Sequence, residues 1–271
     1  MAGPILKSPT TENDLVWIFG AARCGSTWFL ELLSWFSELA CWNEPNVLSL
    51  YRNIETTENG DRHRVGDYAL NGATLPQLDD CVRRIVFSEI ERRFPEKCWR
   101  RYVLKEVTQS VAAEHALRCF PRGRAIFLWR DPFDVLNSRL DAERTWGRRS
   151  AVGSLPESAL AALAALDVKA SFRGARAARD LWPSQARITL KFEELVAAPE
   201  PTLARVLDFL KVEWDPAEIR AAILANSFEQ YAVTGPGEFR RYGQAGSWKR
   251  SKGEQQLHPA LAEIRQSLGY S

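Results

Sequence analysis

The chain has 271 residues, 45% of them hydrophobic and 26% charged, which is enough apolar content for a sizeable core and excludes a disordered chain. Its 36 basic and 34 acidic residues leave a formal net charge of +2, so no overall field points to a nucleic acid or an anionic membrane as partner. No apolar run reaches the ~18 residues that span a bilayer.

The elements follow in chain order. Asp14–Ala21, DLVWIFGA, is a short apolar run bounded by Gly20 and predicts a buried strand. Ser26–Leu39 then places Trp28, Leu32, Trp35, Phe36 and Leu39 at helical spacing, with Ser26 or Thr27 as the N-cap. A second strand is expected to end near Glu44. Arg101–Lys105, RYVLK, predicts a strand, followed by a helix near Ser110–Cys119. Arg124–Trp129, RAIFLW, predicts another buried strand, after which Asp131 can cap a helix that has Pro132 at its first position. Ser154-Leu155-Pro156-Glu157 opens a long Ala-rich helix toward Trp182. Arg187–Phe192, RITLKF, predicts a strand, and Pro201–Leu210 a helix. Strands alternating with helices of these lengths imply an α/β layer fold around a mainly parallel sheet. Asn46–Asp80 and the Gly-rich Ala232–Glu254 read as irregular, and long irregular segments in compact domains are more often functional than idle.

Cys24, Cys41, Cys81, Cys98 and Cys119 lack CxxC spacing and read as free thiols in a reducing compartment. His63, His115 and His258 are too dispersed for a metal site. The N-terminal MAGPILKSPTTEND has no secretory apolar stretch. A cytoplasmic protein is expected, with one domain over residues 1–271 and residues 1–13 as a flexible tail.

The first strand–helix junction reads Gly20-Ala21-Ala22-Arg23-Cys24-Gly25-Ser26-Thr27-Trp28. Gly25 lets backbone approach an anion, the N–H groups of the helix start can hold a phosphate, and Arg23, Ser26 and Thr27 add charge and donors. The loop nearly matches GxxxxGK[ST], but Ser26 stands where that motif has Lys. Losing the Lys that contacts β- and γ-phosphates argues for a phosphorylated ligand other than a nucleoside triphosphate.

This junction resembles the 5′-phosphosulfate loop of sulfotransferases that use 3′-phosphoadenosine 5′-phosphosulfate (PAPS). The resemblance extends to Arg130-Asp131-Pro132 with Ser138 on the following helix, where it implies that Arg130 and Ser138 hold the 3′-phosphate. It implies that Trp28 and Phe228 stack on the adenine, a recognition mode worth ~1–3 kcal/mol per face. It also implies that Arg241, Tyr242 and Gly243, in a segment similar to the family's basic-Gly…Gly-x-Trp-Lys loop, close over the 3′-phosphate. The Arg23, Arg130 and Arg241 set suits a donor of charge about −4. The implied fold is a P-loop-like three-layer α/β fold with a central, mainly parallel sheet flanked by helices. Two departures stand out. Phe192, in Lys191-Phe192-Glu193-Glu194-Leu195, replaces a family Tyr near the adenine. Lys105-Glu106-Val107 lacks the His of the cytosolic branch's Lys-x-His motif.

Sulfuryl transfer is an in-line displacement in which positioning and electrostatics dominate, and no metal is required. Arg23 and the loop N–H groups would neutralise the leaving phosphate, with Lys105 as a second cation. The first candidate for general base is Glu44 in Cys41-Trp42-Asn43-Glu44-Pro45, similar in position to the catalytic Glu of carbohydrate-type sulfotransferases. Trp42 and Pro45 would partly desolvate it. Glu106 is the second candidate and His63 the third, whereas His115 reads as structural. The expected partner is a small-molecule hydroxyl acceptor facing Asn46–Asp80 and Asp141–Gly153. A nucleotide kinase, or a protein of this fold that binds nucleotide without catalysis, are the competing readings.

Overall fold

The computed structural model describes residues 10–51, 74–96, 99–146, 156–227, 246, 248 and 258–271. Five short segments become strands: β1 (Leu15–Phe19), β2 (Leu39–Asn43), β3 (Arg101–Lys105), β4 (Arg124–Trp129) and β5 (Arg187–Lys191). They form one sheet in the order β2-β3-β1-β4-β5, with every neighbouring pair parallel. All five residues of β1 are buried, as are those of β3, which explains why these strands read as continuous apolar runs and not as alternating ones.

Among the described residues the α-helices are α1 (Ser26–Ser34), α2 (Leu75–Arg93), α3 (Ala113–Cys119), α4 (Pro132–Trp146), α5 (Glu157–Leu181), α6 (Phe192–Ala197), α7 (Pro199–Leu210), α8 (Pro216–Ala225) and α9 (His258–Ser267). They flank the sheet in a P-loop-like α/β arrangement, as the sequence predicts. Helix α5 packs on the 3₁₀ turn Val107–Ala112, on α3 and on α4, and α9 packs on α4 and α5. A large aromatic cluster fills the core: Trp17, Phe19, Phe120, Phe127 and Trp182 lie within about 6 Å of one another in successive ring pairs. None of the described helices is long and apolar enough to cross a membrane.

Several boundaries differ from the sequence reading. The N-cap of α1 is Gly25, not Ser26 or Thr27; its φ of 92° is a left-handed conformation that glycine adopts without strain. Helix α1 stops at Ser34 because the chain must turn to enter β2, and Trp35, expected on the buried face, is 45% exposed. Phe192 starts α6 instead of ending β5. Helix α2 begins inside Asn46–Asp80; Leu78, Val82, Val86 and Ile90 form its buried stripe, while Leu75 and Ile85 are exposed. Within the stretch expected as a tail, Glu12 is buried. Buried Glu12 pairs with Arg83 at 2.6 Å. Tyr51 also faces inward: it is 1% exposed, stacks on buried His115 at 4.2 Å and hydrogen-bonds Asp79 at 2.5 Å.

Candidate active site

The connection from β1 runs to β2 on one side of the sheet and that from its neighbour β3 runs past β1 to β4 on the other, so a crevice opens at the carboxyl ends of β1 and β3. The loops after β1, β2, β3 and β4 meet there. After β1, the Gly20 N–H donates to the buried Ser110 hydroxyl at 3.0 Å, and the Cys24 N–H donates to the Ala21 carbonyl at 3.0 Å. Arg23 has a φ of 76°, and a Cβ on Gly25 would collide with the Phe192 ring. A non-glycine residue held in the left-handed region costs about 1–3 kcal/mol and points to a functional turn. Helix α1 begins directly after it, so the positive helix end lies at the loop. Cys24 is fully buried, which pushes its thiol up and keeps it protonated.

The guanidinium groups converge on this loop. Arg23 Nε donates to Ser138 Oγ at 3.2 Å, and Arg130 Nη1 donates to the Arg23 carbonyl at 3.1 Å. Arg130 leaves β4 at its carboxyl end, is 8% exposed, and lies over the Phe192 ring at 4.6 Å. Its buried Nε has no hydrogen-bond partner among the described residues. Phe192 also meets Trp28 edge to face at 6.0 Å. The residue read only as a Tyr without its hydroxyl is therefore the packing floor under Arg130, Gly25 and Trp28. Trp28 is largely buried and its indole N–H donates to the Asn226 carbonyl at 2.8 Å. Phe228, Arg241, Tyr242, Gly243 and His63 lie outside the described residues.

Asp131 caps α4, accepting the Phe133 N–H at 3.0 Å. Asp134, one turn further on, is fully buried and accepts from the Gly246 and Trp248 N–H groups at 2.7 and 2.9 Å. It thus fastens the Gly246–Trp248 segment to the helix that carries Ser138. One residue before Ser138, the buried Asn137 amide has no partner for either of its polar atoms among the described residues.

The carboxylates gather a few ångströms from the loop. Glu44 leaves β2 with a φ of 49°, followed by Asn46 at 55°. Its Oε1 pairs with Lys105 Nζ at 2.8 Å, and its Oε2 accepts from the Thr108 hydroxyl at 2.6 Å. Lys105 is 4% exposed and also reaches Thr27 Oγ1 at 3.3 Å, so one ammonium bridges the carboxylate and the helix start. Glu106 is 0% exposed and its Oε1 accepts from the Val47 N–H at 2.8 Å. Burial, reinforced by the nearby Glu44 charge, pushes the Glu106 carboxyl up to about 8.

The arrangement is a cationic, hydroxyl-rich cradle beside a partly exposed carboxylate. A family model described as the sulfotransferase family matches residues 16–216. The chain belongs to the sulfotransferase family. Solved sulfotransferases share its fold. A sulfotransferase domain from the curacin biosynthetic pathway superposes with a TM-score of 0.63 at 18% identity, covering 97% of this chain and 99% of that one. One from the olefin synthase of Synechococcus PCC 7002 gives 0.60 at 16%, covering 100% and 98%. Mouse SULT7A1 complexed with PAP gives 0.61 at 14%, covering 93% and 83%. A search of curated proteins by sequence finds no significant match. Sequence reasoning missed Thr108, Ser110, Asp134 and the role of Phe192 in this sulfotransferase. Thr108 and Ser110 were within reach, because polar residues just past a predicted parallel strand fall at the crevice. Asp134 and Phe192 carry no local signal, since their partners are remote in sequence.

Proposed function

We propose that this sulfotransferase moves the sulfuryl group of PAPS to a hydroxyl of a small-molecule acceptor, with Glu44 as general base. The observation that carries the reading is the joining of Arg23 to Arg130 and Ser138, which lie 107 and 115 residues further along the chain, into one hydrogen-bonded cluster at the start of α1. The residues fit such a donor. Arg130 offers a buried Nε with no partner among the described residues, and Gly25 lets the loop backbone pass against the Phe192 ring, where a side chain would collide. A neighbour of the same fold is crystallised with PAP, which accords with this donor.

In this reading Arg23, the backbone of Cys24 and Gly25, and the hydroxyls of Ser26 and Thr27 hold the 5′ end. Arg130 and Ser138 hold the 3′-phosphate, Trp28 and Phe228 the adenine, and Arg241, Tyr242 and Gly243 close over it. When bound, the donor supplies a sulfuryl group whose bond to the 5′-phosphate oxygen breaks as a bond to the acceptor oxygen forms. Glu44 takes the acceptor's hydroxyl proton; Lys105 and Thr108 fix one carboxylate oxygen each, which aims the base. Lys105, between Glu44 and Thr27, balances negative charge at both. Glu106 has no exposed surface and supports the turn after Glu44 through Val47, which favours Glu44 over it as the proton acceptor.

Calorimetry with 3′,5′-ADP and 5′-AMP tests the donor site. Arg130→Ala is expected to weaken 3′,5′-ADP by about 10–100-fold, the loss of a charged hydrogen-bonded contact, and to leave 5′-AMP nearly unchanged. Equal weakening of both nucleotides rejects the assignment. A PAPS-supplied screen of phenols, sugars and alcohols, read by mass spectrometry, tests the transfer itself; Mg²⁺-dependent ATP consumption in its place favours a kinase.

A further inference from the structure

We propose that the C-terminal helix α9 is a working part of the donor site, with Arg265 the positioning residue that holds Arg130 in place; this rests on the donor reading above. The family match ends at residue 216, so α9 lies outside it.

The argument starts at the ends of β4 and β5. β4 ends in Arg130-Asp131, and β5 runs into Phe192-Glu193 at the start of α6. The two pairs interlock. Phe192 lies beneath the Arg130 guanidinium, and Glu193 Oε1 accepts the Asp131 N–H at 3.0 Å. Each of the two acids is then gripped from the C-terminal segment. Arg265 makes a two-pronged pair with Asp131: Nε reaches the carboxylate at 3.1 Å and Nη2 at 3.0 Å. Tyr270 donates its hydroxyl to Glu193 Oε2 at 2.7 Å. Both side chains of the ion pair are mostly buried, with 16% and 10% exposed. Planar guanidinium–carboxylate pairing fixes orientation as well as charge, which a single ammonium cannot do.

Arg265 does more than pair. Its guanidinium lies 4.9 Å from the Phe133 ring centre and 5.6 Å from that of Trp248, and these two rings meet edge to face at 5.0 Å. Its Nη2 also reaches the Ser271 carbonyl at 2.6 Å. One side chain therefore ties the Arg130–Asp131 turn to the Trp248 segment that Asp134 holds by its backbone. Arg265 touches none of the residues assigned to the nucleotide. Its effect passes through Asp131 to the neighbouring Arg130, so it governs how the 3′-phosphate is read and not how the 5′ end is held.

The test compares affinities for 3′,5′-ADP and 5′-AMP in the full chain, because their ratio reports the 3′-phosphate alone. Arg265→Ala is expected to cut that ratio at least tenfold while 5′-AMP affinity holds within about twofold, and Arg265→Lys to restore only part of it. Tyr270→Phe keeps the ring and removes one hydrogen bond; it is expected to lower the ratio about threefold, and it decides the matter if Arg265→Ala does not fold. A wild-type protein with no preference for 3′,5′-ADP overturns the donor reading itself. A strong wild-type preference that survives in both Arg265→Ala and Tyr270→Phe overturns this proposal alone. So does an equal loss for the two nucleotides, which marks a merely structural role.

Discussion

At the scale of single residues, the two carboxylates beside Lys105 divide the work by their surroundings. Glu44 keeps part of its surface and has each oxygen held by a side chain; Glu106 is sealed behind the Val47 backbone. In the proposed chemistry Glu44→Gln keeps the shape and loses the basicity. Turnover should fall by about 10²–10⁴-fold with 3′,5′-ADP affinity within twofold; near-normal turnover in steady-state assays would move the base elsewhere. Glu106 makes a separate prediction about stability. Its carboxyl is raised from 4.5 to about 8 in the folded chain, chiefly by burial. Between those values the unfolded chain has released the proton and the folded chain keeps it. Folding therefore binds the proton, and the stability it contributes is full below about 4.5 and gone above about 8. The slope is at most about 1.4 kcal/mol per pH unit. Glu106→Gln can still accept from Val47 but cannot ionise, so urea midpoints measured from pH 5 to pH 8 should decline less in this variant than in the wild type. Parallel declines would contradict this protonation state.

At the scale of elements, the anion loop is shaped by pieces that do not touch the anion. Ser110 sits on the turn after β3 and accepts the Gly20 N–H, and that turn is pressed against α5 at Gly174. A Cβ on Gly174 would lie 2.5 Å from both the Ser110 carbonyl oxygen and Val111 Cα. Both are backbone atoms that cannot swing aside. Gly174→Ala should therefore cost about 1–3 kcal/mol, read as a lowered urea midpoint, and should also weaken 3′,5′-ADP because Ser110 carries the strain to the loop. A stability loss with unchanged nucleotide affinity would show that the turn absorbs the displacement. Strands β1, β3 and β4 were legible from their apolar runs within a residue or two, because a strand buried on both faces has no alternation to misread; the partly buried edge strand β5 was legible as well. Helix α2 was not, since its buried stripe of Leu78, Val82, Val86 and Ile90 is narrow among charged neighbours. Helices α8 and α9 are short, and much of their stability comes from partners elsewhere in the chain.

At the scale of the molecule, segments centred on residues 23, 130, 192 and 265 form one connected unit, while Tyr51, Asp79, Arg118 and Cys119 are bonded to one another in a second. Saturating 3′,5′-ADP should stabilise the protein by about 2.7 kcal/mol at a hundred times its Kd. Hydrogen exchange should show the local part of that effect as greater slowing in residues 20–28, 130–138 and 192–193 than around Asp79; equal slowing everywhere would mark global stabilisation alone. The alternation of apolar runs with helical patterns, the Gly25 turn and the Arg130–Ser138 spacing were all written in local stretches of chain. Local patterns suffice for these because strand burial, helix initiation and a tight turn each depend on a few neighbouring residues. What the folded chain decided was which groups meet: Arg23 with Ser138, Glu44 with Lys105, Phe192 beneath Arg130, Arg265 on Asp131. Those pairings depend on strand order and on helices returning from far along the chain, and no spacing between residues encodes a distance across a sheet.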